Sequence, residues 1–196
     1  MSSVHGRDVN VLSLFKHNQD NNQNKKIVYF SSCDVIYANE LKSGYYFHKL
    51  KMESLIKNSN IKYNILRLPQ VISNSKNKYS LVNFFVNSIK KNKELIIYKN
   101  AVKNLIFIGD IKIMSKIVIE NNEYLNTTIN IINKNYYTII EILICMEELL
   151  GKKAIIRLVD KGCPVKYKYI NINDKADINF DNEYLKKSLS KIINEL

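Results

Sequence analysis

Short apolar runs alternate with helical periodicities along most of the chain. Residues 27–30 form an apolar run, rich in β-branched and aromatic side chains, that is typical of a buried strand of a parallel sheet. Residues 45–57 lack glycine and proline and follow Ser43-Gly44, so this stretch is predicted to be a helix. Residues 63–68 are predicted to be the next strand. Strand, helix, strand in this order is the right-handed crossover unit of α/β proteins.

The same alternation continues to the C-terminus. Helices are predicted where apolar residues recur at helical spacing, at residues 8–22, 81–91, 111–121, 137–150 and 183–193. Strands are predicted for short β-branched runs at residues 94–98, 101–108, 127–132 and 154–158. Gly151 is the predicted C-cap of the helix at 137–150. This order of elements predicts an α/β fold.

The net charge does not alter the predicted fold, but it bears on the possible partners. The net charge is +12, which raises the question of an anionic partner such as nucleic acid. The lysines, however, are spread over the whole length, with no run longer than two. A dispersed basic surface is therefore the favoured interpretation, and a nucleic-acid partner is not favoured; it would predict steep salt dependence of binding.

Several classes of site and location are disfavoured by the composition. Cys33, Cys145 and Cys163 are too few and too scattered for a disulfide framework. The three histidines do not neighbour a cysteine pair, so no metal site is expected. No apolar stretch reaches the length of a membrane helix, and no signal peptide is evident. We therefore expect a cytoplasmic protein without a membrane partner.

Candidate chemistry lies directly after the strand at 27–30. In open α/β sheets, ligands bind beyond the carboxyl ends of strands. The polar residues at that point are Ser31, Ser32, Cys33 and Asp34. This cluster is therefore a candidate site on position alone.

The predicted helix that follows carries a second set of candidates. Tyr45, Lys49 and Glu53 are spaced i, i+4 and i+8, which places them along one helix face. An ammonium near a phenol favours the phenolate and lowers the phenol pKa. Lys49 is therefore expected to make Tyr45 usable for proton transfer near neutral pH.

Together these motifs resemble the NAD(P)-dependent epimerase/dehydratase family, the extended short-chain dehydrogenases/reductases, which mostly act on nucleotide sugars. The likeness consists of a strand ending in Ser-Ser-x-Asp, Tyr-x-x-x-Lys-x-x-x-Glu on a helix, and a strand ending in Arg-Leu-Pro. The matching residues are Ser31, Ser32, Asp34, Tyr45, Lys49, Glu53, Arg67, Leu68 and Pro69. The resemblance implies a Rossmann-type fold, NAD or NADP as cofactor and a nucleotide-sugar substrate.

The resemblance also implies roles. Tyr45 would be the acid or base at the sugar, and Lys49 would hold the nicotinamide ribose. Cys33 occupies the position of the family's catalytic Ser or Thr, and Ser32 is the neighbouring candidate for that role. Further implied contacts are Ser31 and Pro69, beside Lys49, for the cofactor, and Asp34 and Lys103 for the substrate.

Three other positions leave alternatives open. Lys103 stands where the family has an arginine, so a phosphate contact would survive only as a point charge. Asn10 matches a family asparagine, or it simply begins a helix. Asp110 matches a family aspartate, or it caps the helix predicted at 111–121.

The sequence departs from the family pattern in its glycines. The five are Gly6, Gly44, Gly109, Gly151 and Gly162, so the Gly-x-x-Gly-x-x-Gly turn that cradles the pyrophosphate is missing. We expect an incomplete Rossmann-type parallel sheet, its C-terminal half, with a small α/β substrate-binding lobe. Residues 1–69 would be the remnant of the dinucleotide-binding domain, and residues 70–196 the substrate lobe, interleaved with it.

Two classes of function follow. The first is a truncated nucleotide-sugar epimerase, dehydratase or reductase, complete only with a missing N-terminal part from another chain or reading frame. Its expected partners are the nucleotide sugar and either that missing N-terminal half or a second copy in a homodimer. The second is a non-catalytic relic or interaction module that keeps only the substrate lobe. In either case the chain alone is expected to be inactive and to bind NAD or NADP weakly. The sugar, the nucleotide and the reaction subtype stay open.

Overall fold

A computed structural model describes residues 25–74, 80–170 and 172–193. The strands are β1 (Lys26–Ser32), β2 (Lys62–Leu68), β3 (Gln70–Ile72), β4 (Leu95–Tyr98), β5 (Val102–Lys103), β6 (Leu105–Phe107), β7 (Thr127–Asn130), β8 (Tyr137–Thr138) and β9 (Ile156–Val159). The helices are α1 (Ala38–Leu41), α2 (Gly44–Lys57), α3 (Leu81–Lys90), α4 (Ile108–Glu120), α5 (Ile139–Leu150), α6 (Asn173–Ala176) and α7 (Tyr184–Ile193). The helix predicted at residues 8–22, with Asn10, lies outside the described residues.

The chain divides into two compact units. The first comprises residues 1–67 and 118–129, and the second comprises residues 68–117 and 130–196. The second unit thus begins two residues before the predicted lobe, and the chain returns to the first unit for one segment. Whether the two parts serve dinucleotide and substrate stays a prediction.

The first unit contains a three-stranded sheet in the order β1-β2-β7. β2 is central, and Ile65 and Leu66 in it are fully buried. Helix α2 follows β1 and buries Met52 and Ile56. A short 3₁₀ turn, Cys33–Tyr37, links the end of β1 to the helices and buries Cys33 and Val35. The strand–helix–strand prediction for this part of the chain is confirmed.

The second unit contains strand pairs, and the helices α3, α5 and α7 pack against them. β3 pairs with β6 and β4 with β9, both in parallel, while β5 and β8 are antiparallel. Its core joins apolar side chains of α3, α5 and α7 to those of β3, β4 and β6. Helices and parallel strand pairs in this arrangement confirm the α/β class.

Helix α5 begins and ends as its sequence directs. Thr138 and Glu141 form a reciprocal capping box, which fixes the start at Ile139 rather than at the predicted residue 137. Tyr137 instead lies in β8. Gly151 ends the helix in the left-handed conformation, at φ 61°, so the predicted glycine C-cap is confirmed.

The region around Asp110 differs from the prediction. Helix α4 begins at Ile108, so Asp110 lies in the first turn of that helix, and the interpretation of Asp110 as its cap is wrong. The predicted strand at 101–108 is two short strands, β5 and β6. Asp110 instead accepts a hydrogen bond of 2.5 Å from the Tyr184 hydroxyl, which also accepts one from the Phe107 amide. Asp110 therefore ties the start of α4 to α7.

In the described part of the chain, every helix falls short of the length and apolar character that crossing a bilayer requires.

Candidate active site

The end of β1 presents the predicted polar cluster on a tight turn. Ser32 precedes the 3₁₀ turn, and its hydroxyl accepts a hydrogen bond of 3.2 Å from the Asp34 amide. Asp34 also accepts a hydrogen bond of 3.2 Å from the Tyr46 hydroxyl on α2. The turn therefore holds the end of β1 and the start of α2 together.

Lys49 connects the strand end to the tyrosines. Its ammonium donates a hydrogen bond of 2.8 Å to the Phe30 carbonyl oxygen in β1. The same nitrogen lies 4.8 Å from the centroid of the Tyr29 ring and 5.7 Å from that of Tyr45. Burial lowers the Lys49 pKa, and the charge of Glu53 opposes that shift. A cation is thus fixed at the carboxyl end of β1.

Tyr45 is accessible, but its pKa does not follow the expectation. The side chain is 58% exposed and packs edge-on against Tyr46, with ring centroids 5.2 Å apart. Burial, and then the charge of Asp34, raises the Tyr45 pKa above its ordinary value. The expected lowering of the Tyr45 pKa by Lys49 is therefore wrong for this arrangement, in which burial and the charge of Asp34 set the direction of the shift.

Below these residues lies a buried ion pair. Glu53 is 2% exposed and accepts two hydrogen bonds from Arg67, of 2.9 and 2.6 Å. The Ser31 hydroxyl donates a third, of 2.6 Å. Burial alone would raise the Glu53 pKa, but the bonds from Arg67 and Ser31 outweigh it and lower the pKa. The Ser31 hydroxyl therefore holds the Glu53 carboxylate in place beneath the candidate site.

Cys33 and Ser32, the two candidates for the hydroxyl role, differ in access. Cys33 is 1% exposed, and its thiol donates to the Arg67 carbonyl oxygen at 3.3 Å. Burial raises the pKa of this thiol, with Asp34 adding to the shift, so it stays protonated. Ser32 is half-buried. Ser32 is therefore the more accessible donor of the pair.

Pro69 and Lys103 lie in the second unit. Pro69 falls between β2 and β3, and Lys103 is half-buried in β5, opposite Tyr137 of β8. The other predicted site residues, 31–34, 45 and 49, all lie in the first unit. The assignment of all these side chains to one catalytic site stays a prediction.

Sequence reasoning missed two tyrosines and the structural role of an arginine. Tyr29 contributes the ring nearest Lys49, and Tyr46 bonds Asp34. Arg67 was noted only as part of a motif, whereas it neutralises Glu53. A usable signal for Tyr46 is its place in the same helix turn as Tyr45, whereas the pairing of Arg67 with Glu53 depends on the fold.

The second unit contains a cavity of about 610 Å³. Tyr136, Tyr137, Cys145 and Asp181 are among the residues that line it, and none of the predicted site residues does. Within the described residues, no group of three histidine, cysteine or carboxylate side chains is placed to hold a metal ion.

No protein-family model matches the sequence, and no curated protein matches it either. Solved structures, in contrast, match in fold. UDP-glucuronic acid 4-epimerase from Bacillus cereus, solved with UDP-glucuronic acid and NAD, aligns with a TM-score of 0.75 at 18% identity. That alignment covers 93% of this chain and 65% of the epimerase.

Two further structures extend the comparison. UDP-glucose 4-epimerase from Thermotoga maritima aligns with a TM-score of 0.72 at 18% identity, over 94% of this chain and 68% of that one. A dTDP-glucose 4,6-dehydratase from Bacillus anthracis, solved with NAD, aligns with a TM-score of 0.73 at 16% identity, over 93% and 64%.

These comparisons concern the fold. The chain has the Rossmann-type α/β fold of the nucleotide-sugar epimerases and dehydratases, as its motifs predicted. It spans about two thirds of the length of these proteins: 65% of the Bacillus cereus epimerase.

Proposed function

We propose that these 196 residues carry the proton-transfer part of the active site of an NAD(P)-dependent nucleotide-sugar epimerase, dehydratase or reductase. The chain would then belong to the extended short-chain dehydrogenases/reductases. The observation that carries the proposal is the position of the Lys49 ammonium, bonded to the end of β1 and lying against the Tyr45 ring. The fold shared with epimerases and a dehydratase supports it.

Tyr45 would exchange a proton with a hydroxyl or keto oxygen of the sugar. A phenol is protonated at neutral pH even at its ordinary pKa of 10.0, and the raised pKa of Tyr45 keeps it so; Tyr45 would therefore act first as a donor. Asp34 would contact the substrate beside it, and Ser32 or Cys33 would supply the second hydrogen bond. Ser32 is favoured here, since a hydroxyl is a stronger donor than a thiol and Cys33 is buried.

The residues present fit one side of a dinucleotide. An ammonium such as that of Lys49 is suited to the hydroxyls of a nicotinamide ribose, and Ser31 and Pro69 would border the cofactor. A bound nicotinamide would supply hydride transfer. The glycine-rich pyrophosphate cradle is not among the 196 residues, so residues outside these 196 would have to supply it.

The substrate would be a nucleotide sugar. Lys103 is suited to a phosphate as a point charge. The location that fits such a substrate is the cytoplasm.

Saturation-transfer NMR of the purified chain tests the proposal without requiring turnover. With NAD, we expect saturation of the nicotinamide-ribose protons to exceed that of the adenine protons. The reason is that these residues include the proposed ribose contact, Lys49, but not the glycine-rich turn that would hold the pyrophosphate. Lys49→Met should abolish this signal. Lys51→Met, on the exposed face of the same helix, is the matched control and should keep it.

The same samples then receive UDP-glucose or UDP-glucuronic acid. Transfer to the sugar protons supports the nucleotide-sugar reading. If neither the dinucleotide nor either nucleotide sugar receives saturation, or if Lys49→Met and Lys51→Met behave alike, the proposal is wrong and the non-catalytic alternative replaces it.

A further inference from the structure

Strand β9 is the edge of a two-stranded sheet and carries unusually exposed apolar side chains. Ile156 and Leu158 in β9 are 43% and 52% exposed, and Ile155, the residue before the strand, is 51% exposed. Its partner β4 buries Leu95 and Ile97 almost completely. An apolar strand open to solvent is a template for pairing with another chain.

The parallel register identifies which face is uncovered. Leu95 is opposite Ile156, and Ile97 is opposite Leu158. Side chains of paired positions lie on the same face of a sheet, so Ile156 and Leu158 share the core face of β4. The core of the second unit therefore covers this face at β4 and leaves it open at β9.

One backbone edge of β9 is already used. The carbonyl oxygens of Ile155 and Val159 accept hydrogen bonds from β4 and the residue after it, at 2.8 and 3.0 Å. Successive residues of a strand direct their backbone groups to opposite edges, so Ile156 and Leu158 direct theirs away from β4. Among the described residues, no strand pairs with that second edge.

The edge is also held rigid at its end. The Asn100 side chain donates a hydrogen bond of 2.9 Å to the Asp160 carboxylate. The Asn100 backbone N–H donates another, of 3.0 Å, to the Lys161 carbonyl oxygen. An ordered edge lowers the conformational cost of adding a strand.

Charge selects the partner. Between positions 151 and 170 the chain has six basic residues and one acidic residue. Two of the six form ion pairs, Lys153 with Glu147 and Arg157 with Glu94, so the remaining four provide the excess of positive charge. Two such edges on chains of net charge +12 would repel each other, whereas an acidic segment would be attracted. Apolar residues at alternate positions of that segment would cover Ile156 and Leu158.

We propose that the open edge of β9 is a docking site for an extended acidic segment of a partner protein, which adds to the β4–β9 sheet as a third strand. Main-chain hydrogen bonds would provide affinity, and the alternating side chains would provide specificity. This surface does not depend on the proposed activity.

The probe is a capped peptide of alternating glutamate and valine, about seven residues long, the length of an ordinary strand. Fluorescence anisotropy with the purified chain should give saturable binding that weakens as salt is raised. Two control peptides should bind at least about tenfold more weakly. One alternates lysine and valine, and the other is the glutamate peptide N-methylated on alternate amides.

Matched variants locate the site on the protein. Leu158→Glu should weaken peptide binding about tenfold or more. Ile96→Glu introduces the same charge on the opposite face of the sheet, at a residue 53% exposed, and should change binding little. Both sites are exposed, so both variants should keep the thermal unfolding midpoint of the parent chain.

The proposal is overturned if the glutamate peptide does not bind, if the N-methylated peptide binds equally, or if both variants weaken binding alike. Analytical ultracentrifugation of the chain alone tests whether a second copy of the chain occupies the edge instead. A dimer that Leu158→Glu dissociates and Ile96→Glu preserves would assign the edge to a second copy and would also overturn the proposal.

Discussion

The Arg67 guanidinium donates two hydrogen bonds to the Glu53 carboxylate, from Nε at 2.9 Å and from Nη2 at 2.6 Å. Glu53 lies on α2 and Arg67 on β2, so this pair joins the helix that carries Tyr45 and Lys49 to the central strand of the sheet. The carboxylate is buried; it also accepts a hydrogen bond from the Ser31 hydroxyl, and the Lys57 ammonium lies 3.8 Å from it. The candidate site therefore rests on a paired buried charge.

Removing the arginine should be costly. Arg67→Met leaves Glu53 as a buried, poorly compensated charge, and we expect the free energy of unfolding to fall by roughly 3–5 kcal/mol. Lys57→Met is the matched control, because Lys57 is 3.8 Å from the same carboxylate and its side chain is 41% exposed. That variant should lose less than about 1 kcal/mol in urea unfolding. Equal losses of unfolding free energy in the two variants would show that the Arg67–Glu53 pair stabilises the fold no more than the exposed Lys57 does.

The pH dependence of this difference has a defined sign. The folded-state pKa of Glu53 lies below its ordinary value of 4.5, so its contribution is present above that value and is lost as pH falls through the folded pKa. In Arg67→Met, burial dominates and the Glu53 pKa rises. Urea unfolding at a series of pH values should therefore show the largest wild-type advantage near neutrality. The advantage should begin to shrink as pH falls through the raised Glu53 pKa of the variant, and should shrink further below the ordinary value of 4.5, where the parent chain loses its own contribution. A difference that grows in acid contradicts this.

Tyr45→Phe tests the chemistry, in any assembly of this chain that turns over a nucleotide sugar. We expect turnover to fall by roughly 10²- to 10⁴-fold, because a proton-transfer group is lost, while dinucleotide binding is kept. NMR detection of the product sugar is the measurement. Tyr98→Phe is the control, since Tyr98 is 48% exposed in β4 of the other unit. Full turnover by Tyr45→Phe, with loss in Cys33→Ser, would require a cysteine-centred mechanism instead.

Local sequence predicts the long elements of this fold and misses some of the short ones. β1, α2 and β2 follow the predicted bounds within about two residues, because apolar runs and helical spacing are local signals. No strand is predicted at residues 70–72, and β3 forms there because Gln70 and Ile72 pair with Leu105 and Phe107, far along the chain. A strand of this kind is fixed by its partner rather than by its own pattern.

The candidate site divides in the same way. The spacing of Tyr45, Lys49 and Glu53 places them on one helix face, and this arrangement can be predicted from the sequence alone. The direction of the Tyr45 pKa depends on burial and on the distance to Asp34, which no spacing rule contains. The burial of Cys33 likewise follows from the turn after β1.

Two helix starts offer a matched comparison of capping. Thr138 accepts a hydrogen bond of 3.1 Å from the Glu141 amide, whereas the Ser43 side chain makes no cap hydrogen bond at the start of α2. Thr138→Ala should lower the free energy of unfolding by about 1 kcal/mol, and Ser43→Ala should change it much less. Circular dichroism during urea unfolding measures both. If Ser43→Ala lowers the free energy of unfolding as much as Thr138→Ala does, the cap hydrogen bond is not the cause of the loss.

Two glycines at opposite ends of their helices should respond to alanine with opposite signs. Gly151 follows α5 at φ 61°, a conformation that costs an L-residue with a Cβ roughly 1–2 kcal/mol. Gly44 is the first residue of α2, and a Cβ there would meet no atom within 4 Å. We therefore expect Gly151→Ala to destabilise the chain and Gly44→Ala to stabilise it, by up to about 1 kcal/mol, through the unfolded state.

A rescue variant separates backbone strain at Gly151 from other effects. Asparagine tolerates the left-handed conformation better than alanine does, so Gly151→Asn should recover part of the loss. Since a Cβ at Gly151 would also meet no atom within 4 Å, a steric clash does not explain a difference between the two substitutions. Urea unfolding midpoints of the parent, Gly151→Ala, Gly151→Asn and Gly44→Ala provide the ordering. Equal losses for alanine and asparagine at position 151 would mean that the left-handed cap is not the cause.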